Sequence, residues 1–226
     1  MNSRLYVCVI FVLLHSVMKT VLIVLGSLAV LAVIAVLAAV SSYNGLVNQQ
    51  QAVDAQWAQV QNVYQRRADL VPNLVNTVAG AANFEKSTLT EITEARASVG
   101  RANIDPSKAP TDPAQLAEFE RSQGQLSSAL SRLLVVVERY PDLKATGNFQ
   151  TLQAQLEGTE NRISVERGRF NDVALGYNSA IKRVPAVFYA AMFGFKERPY
   201  FNATPAAQTP PEVKFDFGKQ PAAAKP

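Results

Sequence analysis

The sequence has one cysteine, Cys8, and one histidine, His15, and both fall in an apolar stretch at the N-terminus. The rest of the chain therefore holds no disulfide, no zinc site of the Cys/His kind and no histidine base for a Ser-His-Asp or Cys-His arrangement. No glycine-rich phosphate loop or Gly-x-Ser-x-Gly turn occurs. The Glu-x-x-His pairs that hold metals in helical-bundle cores are also missing, and no cofactor is implied. Period-2 alternation is nearly absent, which argues against strands. There is no strong basic field either. The formal charge is +4, but Arg4 and Lys19 lie ahead of the longest apolar run and all 18 acidic residues lie behind it, so nucleic acid is not an expected partner. Cys8 follows Leu5 at a spacing reminiscent of a lipoprotein signal. Val7 stands where a small residue is required, however, and lipidation is not expected.

What is present begins with Val21 to Val40, VLIVLGSLAVLAVIAVLAAV, twenty residues without a charge. At ~1.5 Å per residue this makes a helix of ~30 Å, the thickness of a bilayer core. A cleaved signal peptide has a shorter apolar region and an Ala-x-Ala-like end, which AAVSS fits poorly, so an uncleaved anchor is expected. Residues 1–20 read as a leader, in which Met18 is the natural start and residues 1–17 an over-extension. Arg4, Lys19 and the terminal amine precede the span, and no Lys or Arg follows it until Arg66. The positive-inside rule then puts the following domain outside the cytoplasm. The expected location is a bacterial cell membrane, crossed once, with residues 21–40 in contact with lipid.

Residues 41–201 read as one helical domain. Steps of three and four from Tyr43 give Leu46, Gln50, Val53, Trp57, Val60, Tyr64, Arg67, Val71, Leu74, Val78 and Ala81, a seam interrupted at Gln50 and Arg67. Pro72 falls inside this helix and is expected to kink it. A second helix runs from Phe84 to about Gly100, with Leu89, Ile92 and Val99. After the proline-rich loop RANIDPSKAPTDPAQ, Asp112 caps a third helix that has Pro113 in its first turn. Its seam is Leu116, Phe119, Gln123, Leu126, Leu130, Leu133, Val137 and Tyr140. The segment YPDLKATGN reads as a turn. A fourth long helix carries Phe149, Leu152, Leu156, Thr159, Ile163, Glu166, Phe170, Val173, Tyr177 and Ile181, and Pro185 closes it. The fold class is all-α, an antiparallel bundle of long helices behind an N-terminal transmembrane helix.

Four phrases, YQRRADLVPNLVNTVAG, VERYPDLKATGNFQTLQAQLEGTENRI, RFNDVALGYNSAI and FGFKERPYF, together resemble the LemA family of bacterial membrane-anchored helical proteins. The likeness runs from about Tyr43 to Phe201, and LEGTENRI is its most specific phrase. It implies a single N-terminal anchor and a helical-bundle domain, and no activity. Some descriptions of that family put the domain on the cytoplasmic side, against the charge count.

If the helices alternate in direction, facing positions on the first and last long helices sum to ~227, within about one turn. Arg67 then faces Glu160, Arg66 lies near Asn161, and Asp69 lies within reach of Arg162 and Glu157. These seven residues form a candidate polar layer that fixes helix register, because Arg67 sits on the apolar seam. Competing readings are a solvated face laced by weak pairs such as Arg162 with Glu166, and a ligand or catalytic site. Glu157 and Glu160 are three apart on one helix and share a face, whereas a glycosidase pair flanks its substrate.

Six aromatics, Phe188, Tyr189, Phe193, Phe195, Tyr200 and Phe201, return to the membrane end of the bundle. They are expected to cap the base of the core, with docking at the lipid interface as the alternative. Residues 202–226 are rich in Ala and Pro and are expected to be disordered; within them EVKFDF could add to a partner as an edge strand. The expected function is a membrane-anchored interaction or scaffolding protein that meets other envelope proteins, compatible with a homo-oligomer and without catalysis. The alternative is a membrane-associated enzyme or regulatory subunit using Arg67, Glu157 and Glu160.

Overall fold

A computed structural model describes residues 3–80, 84–101, 105 and 107–202. The expected seam end at Ala81, most of the tail and the EVKFDF segment lie outside the described residues. No proline precedes Pro72, and α1 (Ser3–Ala79) runs as one helix through the apolar run and into the domain. Every side chain from 21 to 40 is exposed, and this part of the helix is long and apolar enough to cross a membrane. From Leu46 onward the same helix enters the bundle, and Val53, Trp57, Val60, Tyr64, Arg67, Val71, Leu74 and Val78 are all buried.

The partners of α1 are α2 (Lys86–Arg101), α3 (Pro113–Val137), the single turn α4 (Pro141–Lys144) and α5 (Gly147–Ile181). No strand occurs among the described residues. The start of α3 is fixed by Asp112, whose carboxylate accepts a 2.8 Å hydrogen bond from the Ala114 amide with Pro113 at the first helical position. YPDLKATGN is not wholly a turn: Pro141, compatible with a first helical turn, opens α4 within it, and Thr146 then caps α5.

Contacts set the helix directions. Arg132 of α3 and Arg139, just beyond its end, pair with Glu91 of α2 and Glu85, just before its start, at 2.6 and 3.0 Å, so α2 and α3 run in opposite senses. Gln56 and Arg67 of α1 meet Glu166 and Glu160 of α5, both at 2.7 Å, so these two long helices are antiparallel near the expected register. Phe119 packs on Trp57 and Tyr64 while Gln123 and Ser127 meet Arg67, so α3 runs along α1 in the same direction. The order is up, down, up, down.

Pro72 removes the amide that would bond the carbonyl of Ala68. That carbonyl instead accepts a 3.0 Å hydrogen bond from Arg96 Nε on α2, so the proline's missing donor is supplied from a neighbouring helix.

The buried apolar residues form two clusters. The distal one joins Val71, Leu74 and Val78 with Ile92, Leu126, Leu133 and Phe149. The proximal one, nearer the apolar run, centres on Trp57 with Phe119, Phe170 and Phe201. Helix α2 packs on the distal cluster only. Around the proximal cluster its place is taken by Ala109 from the loop and by the extended segment 195–202, both of which enter the core.

Candidate functional site

Arg67 lies between the two clusters and is 1% exposed. Its Nη1 donates to Ser127 Oγ at 2.6 Å and to Glu160 Oε1 at 2.7 Å; its Nη2 donates to the Gln123 carbonyl at 3.1 Å and to Gln123 Oε1. The guanidinium also lies 5.1 Å from the centre of the Tyr64 ring. Burial raises the Tyr64 hydroxyl above its ordinary pKa, against the opposing influence of Arg167 and Arg67. Gln123 and Thr159 are buried at the same level. Glu160 differs: its side chain is 46% exposed, so the ion pair is buried on one side and wet on the other.

Of the seven residues in the expected layer, the structure brings together Arg67 and Glu160. Arg66, Asp69, Glu157, Asn161 and Arg162 are exposed. Arg66 and Asn161 share a level with the pair but not a face, because one step along a helix turns a side chain by about 100°, and Asp69 and Arg162, two steps away, are turned by about 200°. Glu157 lies on the face of Glu160, one turn earlier, and makes no bond to Arg67. Asp69 accepts from Gln65 and Glu157 from Gln153, both four residues away on their own helices. Glu166 pairs with Arg169 at 2.8 Å and takes Gln56 across the interface. The missing members of the layer come from α3. Gln123 broke the α3 seam just as Arg67 broke that of α1, and two polar residues on apolar seams were a usable signal.

A second polar group, unforeseen, ties down the segment 195–202. Asn178 and Asn171 of α5 each pair with its backbone. The Asn178 amide donates to the Arg198 carbonyl and its oxygen accepts from the Arg198 amide, at 2.8 and 2.9 Å. Asn171 makes the same two bonds with Phe201, both at 2.9 Å. The spacing matches because seven helical residues rise ~10.5 Å and three extended residues span ~10 Å. Arg198 turns inward, donates to the Ala109 carbonyl and lies 3.5 Å from Asp54. Asp54 in turn accepts from the Ala109 amide at 2.9 Å. Arg167 closes the end, bonded to Glu120 at 2.7 Å and to the Asn202 carbonyl at 2.8 Å, with the Phe201 ring against its guanidinium. Desolvation raises the Glu120 carboxyl pKa despite Arg167.

The six aromatics divide. Phe195 and Phe201 are buried and Tyr189 is half-buried, whereas Phe188, Phe193 and Tyr200 are exposed. The expectation that all six cap the core therefore holds for only part of the set. The cause is the chain path. Irregular helical turns from 182 to 194 end at Gly194, whose φ of +80° suits glycine. There the Phe195 amide bonds the Ala190 carbonyl and the Gly194 amide bonds that of Ala191, a Schellman ending that turns Phe195 inward and leaves Phe193 outside.

The LemA family profile matches residues 56–215, well over half of the chain. The chain belongs to the LemA family. It is 26% identical to magnetosome protein MamQ of Magnetospirillum gryphiswaldense over 187 residues, covering 74% of this chain and 67% of that protein. Magnetosome protein MamQ 2 of Paramagnetospirillum magneticum is 27% identical with the same coverage. Protein LemA of Metamycoplasma hominis is 28% identical over 142 residues, 63% of this chain and 60% of that one.

The phrases that carried the LemA resemblance now have places in the structure. YQRRADLVPNL holds Arg67 and Pro72, LEGTENRI holds Glu160, RFNDVALGYNSAI holds both clip asparagines, and ERPYF is the segment they hold. Each of these phrases thus contributes at least one residue to the polar contacts between elements.

Proposed function

We propose that this LemA-family protein is a membrane-anchored helical module that works by presenting surfaces to other envelope proteins, without catalysing a reaction. Residues 21–40 hold it in the membrane, and the charge distribution around them favours a domain outside the cytoplasm. The observation that carries the reading is the burial of Arg67. Arg67 is 1% exposed among Gln123, Ser127 and Tyr64, and the hydrogen bonds of its Nη1 and Nη2 go to neighbouring helices. An enzyme using Arg67, Glu157 and Glu160 would need an accessible guanidinium and a Glu157 that reaches it, and the Glu157 carboxylate, exposed beside Glu160 on α5, is bonded to Gln153 instead.

Surface features support a protein partner. The outer face of α5 carries Asn161, Arg162 and Val165, and a Cβ built on Gly158, Gly168 or Gly176 of the same helix would meet nothing within 4 Å. Each of those glycines costs ~1 kcal/mol of helix stability relative to Ala, and the isolated fold gives no packing reason for them. A neighbouring helix at close approach, from a second copy or another protein, would supply one. The test is site-specific photo-cross-linking in intact cells from positions 161, 162 and 165, followed by mass spectrometry. Recurrent protein adducts are expected. Their absence at all three positions, with the protein present in the membrane fraction, would overturn the reading for this face.

A further inference from the structure

We propose that the segment 184–193 is a second membrane contact, inserting into the leaflet from which α1 emerges and engaging anionic lipid headgroups. Val184, Phe188 and Met192 are 74%, 76% and 81% exposed within one short run of irregular helical turns. Val187 and Phe193 extend the patch. Soluble surfaces seldom gather such side chains without a partner.

The patch continues the apolar surface of α1. Phe193 packs edge-on against Tyr43, with ring centres 5.4 Å apart, and against Tyr189. Beside these rings lies an apolar notch of about 380 Å³ lined by Ala39, Val40, Tyr43, Tyr189 and Phe193. Two of its walls belong to the membrane-crossing run itself. Tyr43 is three residues beyond Val40, or ~4.5 Å along the helix axis, so a membrane that covers residues 21–40 reaches the level of Phe193. Interfacial elements bury their apolar faces to ~5–10 Å, a depth that takes in this patch and lets an acyl chain lie in the notch.

Charge favours an anionic surface. Arg183 and Lys196 flank the patch, are exposed and form no ion pair among the described residues, while Glu197 is occupied by Lys182 at 2.8 Å. The aromatic and basic arrangement is that of an interfacial anchor. A second protein copy would fit the apolar side chains but would have to bury or displace the lipid around residues 39 and 40.

This inference rests on α1 as the anchor, so its test carries a marker for that. The full chain with Cys8→Ser receives single cysteines by Phe188→Cys or Met192→Cys, each spin-labelled after reconstitution into phosphatidylcholine vesicles with or without phosphatidylglycerol. Val30→Cys marks the span and Val135→Cys, exposed on α3, marks water. Labels at 188 and 192 are expected to relax more with oxygen than with a water-soluble nickel chelate, as at 30 and opposite to 135. Arg183→Glu with Lys196→Glu should lower the oxygen-to-nickel ratio several-fold when phosphatidylglycerol is present. Labels at 188 and 192 that behave as at 135, or are shielded from both reagents, would overturn the lipid contact. A label at 30 in water would remove the anchor, and with it this inference. Equal depth of the charge variant in both vesicle types would overturn the headgroup assignment.

Discussion

Replacing Arg67 by Met keeps the apolar stem and deletes the guanidinium, and the consequence can be worked out from its partners. Gln123 is buried and loses the charged donor to its side-chain oxygen; an orphaned buried polar group of this kind costs ~1–3 kcal/mol. Ser127 is only half-buried, and Glu160 is 46% exposed, so both regain water. The cost of Arg67→Met should therefore sit mainly on Gln123, and adding Gln123→Met should recover most of it. Glu160→Gln keeps an acceptor at the wet edge and should cost about 1 kcal/mol or less, as for a screened pair. Double-mutant cycles should then give Arg67–Gln123 coupling of ~2 kcal/mol and a smaller Arg67–Glu160 coupling. Urea unfolding of the full chain in non-ionic detergent provides the assay, read from Trp57, the single tryptophan, which is fully buried in the proximal cluster. An Arg67–Glu160 coupling larger than that of Arg67–Gln123, or both below ~0.5 kcal/mol, would refute the reasoning.

Three further outcomes can be checked on the same material. Arg96→Met should cost ~1–3 kcal/mol in the native sequence but much less after Pro72→Ala, which gives the Ala68 carbonyl its own helical donor; equal costs in the two backgrounds would contradict the bond. Phe195→Ala or Phe201→Ala should each lower unfolding stability by ~3–5 kcal/mol, whereas Phe188→Ala should change it little, since only the first two are buried; thermal melts in detergent separate them. Asn178→Ala should speed hydrogen exchange at the Arg198 amide, and Asn171→Ala at the Phe201 amide, with unchanged rates arguing against the clip.

The long seams of α1, α3 and α5 were legible because a 3.6-residue period over many turns leaves little choice of face. Register was legible too: a sum rule for two antiparallel helices placed Arg67 opposite Glu160. The same rule could not tell which side of each helix faced inward away from the seam, and so it drew Arg66, Asp69, Glu157, Asn161 and Arg162 into a layer they do not join. It also considered two helices only. Gln123 and Ser127 arrive from α3, whose placement depends on the lateral order of the bundle, a long-range property that a linear pattern does not carry. The segment 195–202 was illegible for a different reason. Its fixation comes from backbone bonds to Asn171 and Asn178, and extended backbone has the same donors and acceptors whatever its sequence. Schellman geometry at Gly194 was present in AAMFGF and decides which aromatics turn inward. Arg96 could not be matched to Pro72 without knowing that α2 crosses α1 at Ala68.

The central proposal is that the polar layer holds the bundle together while outer surfaces do the work. The most direct test repeats the in-cell photo-cross-linking from positions 161, 162 and 165 in a protein whose layer has been made apolar by Arg67→Met with Gln123→Met. With membrane abundance and unfolding midpoint close to those of the native chain, the same adducts should form in the same proportions. Loss of those adducts from a folded, membrane-resident variant would contradict the proposal and make the Arg67 layer itself the working site.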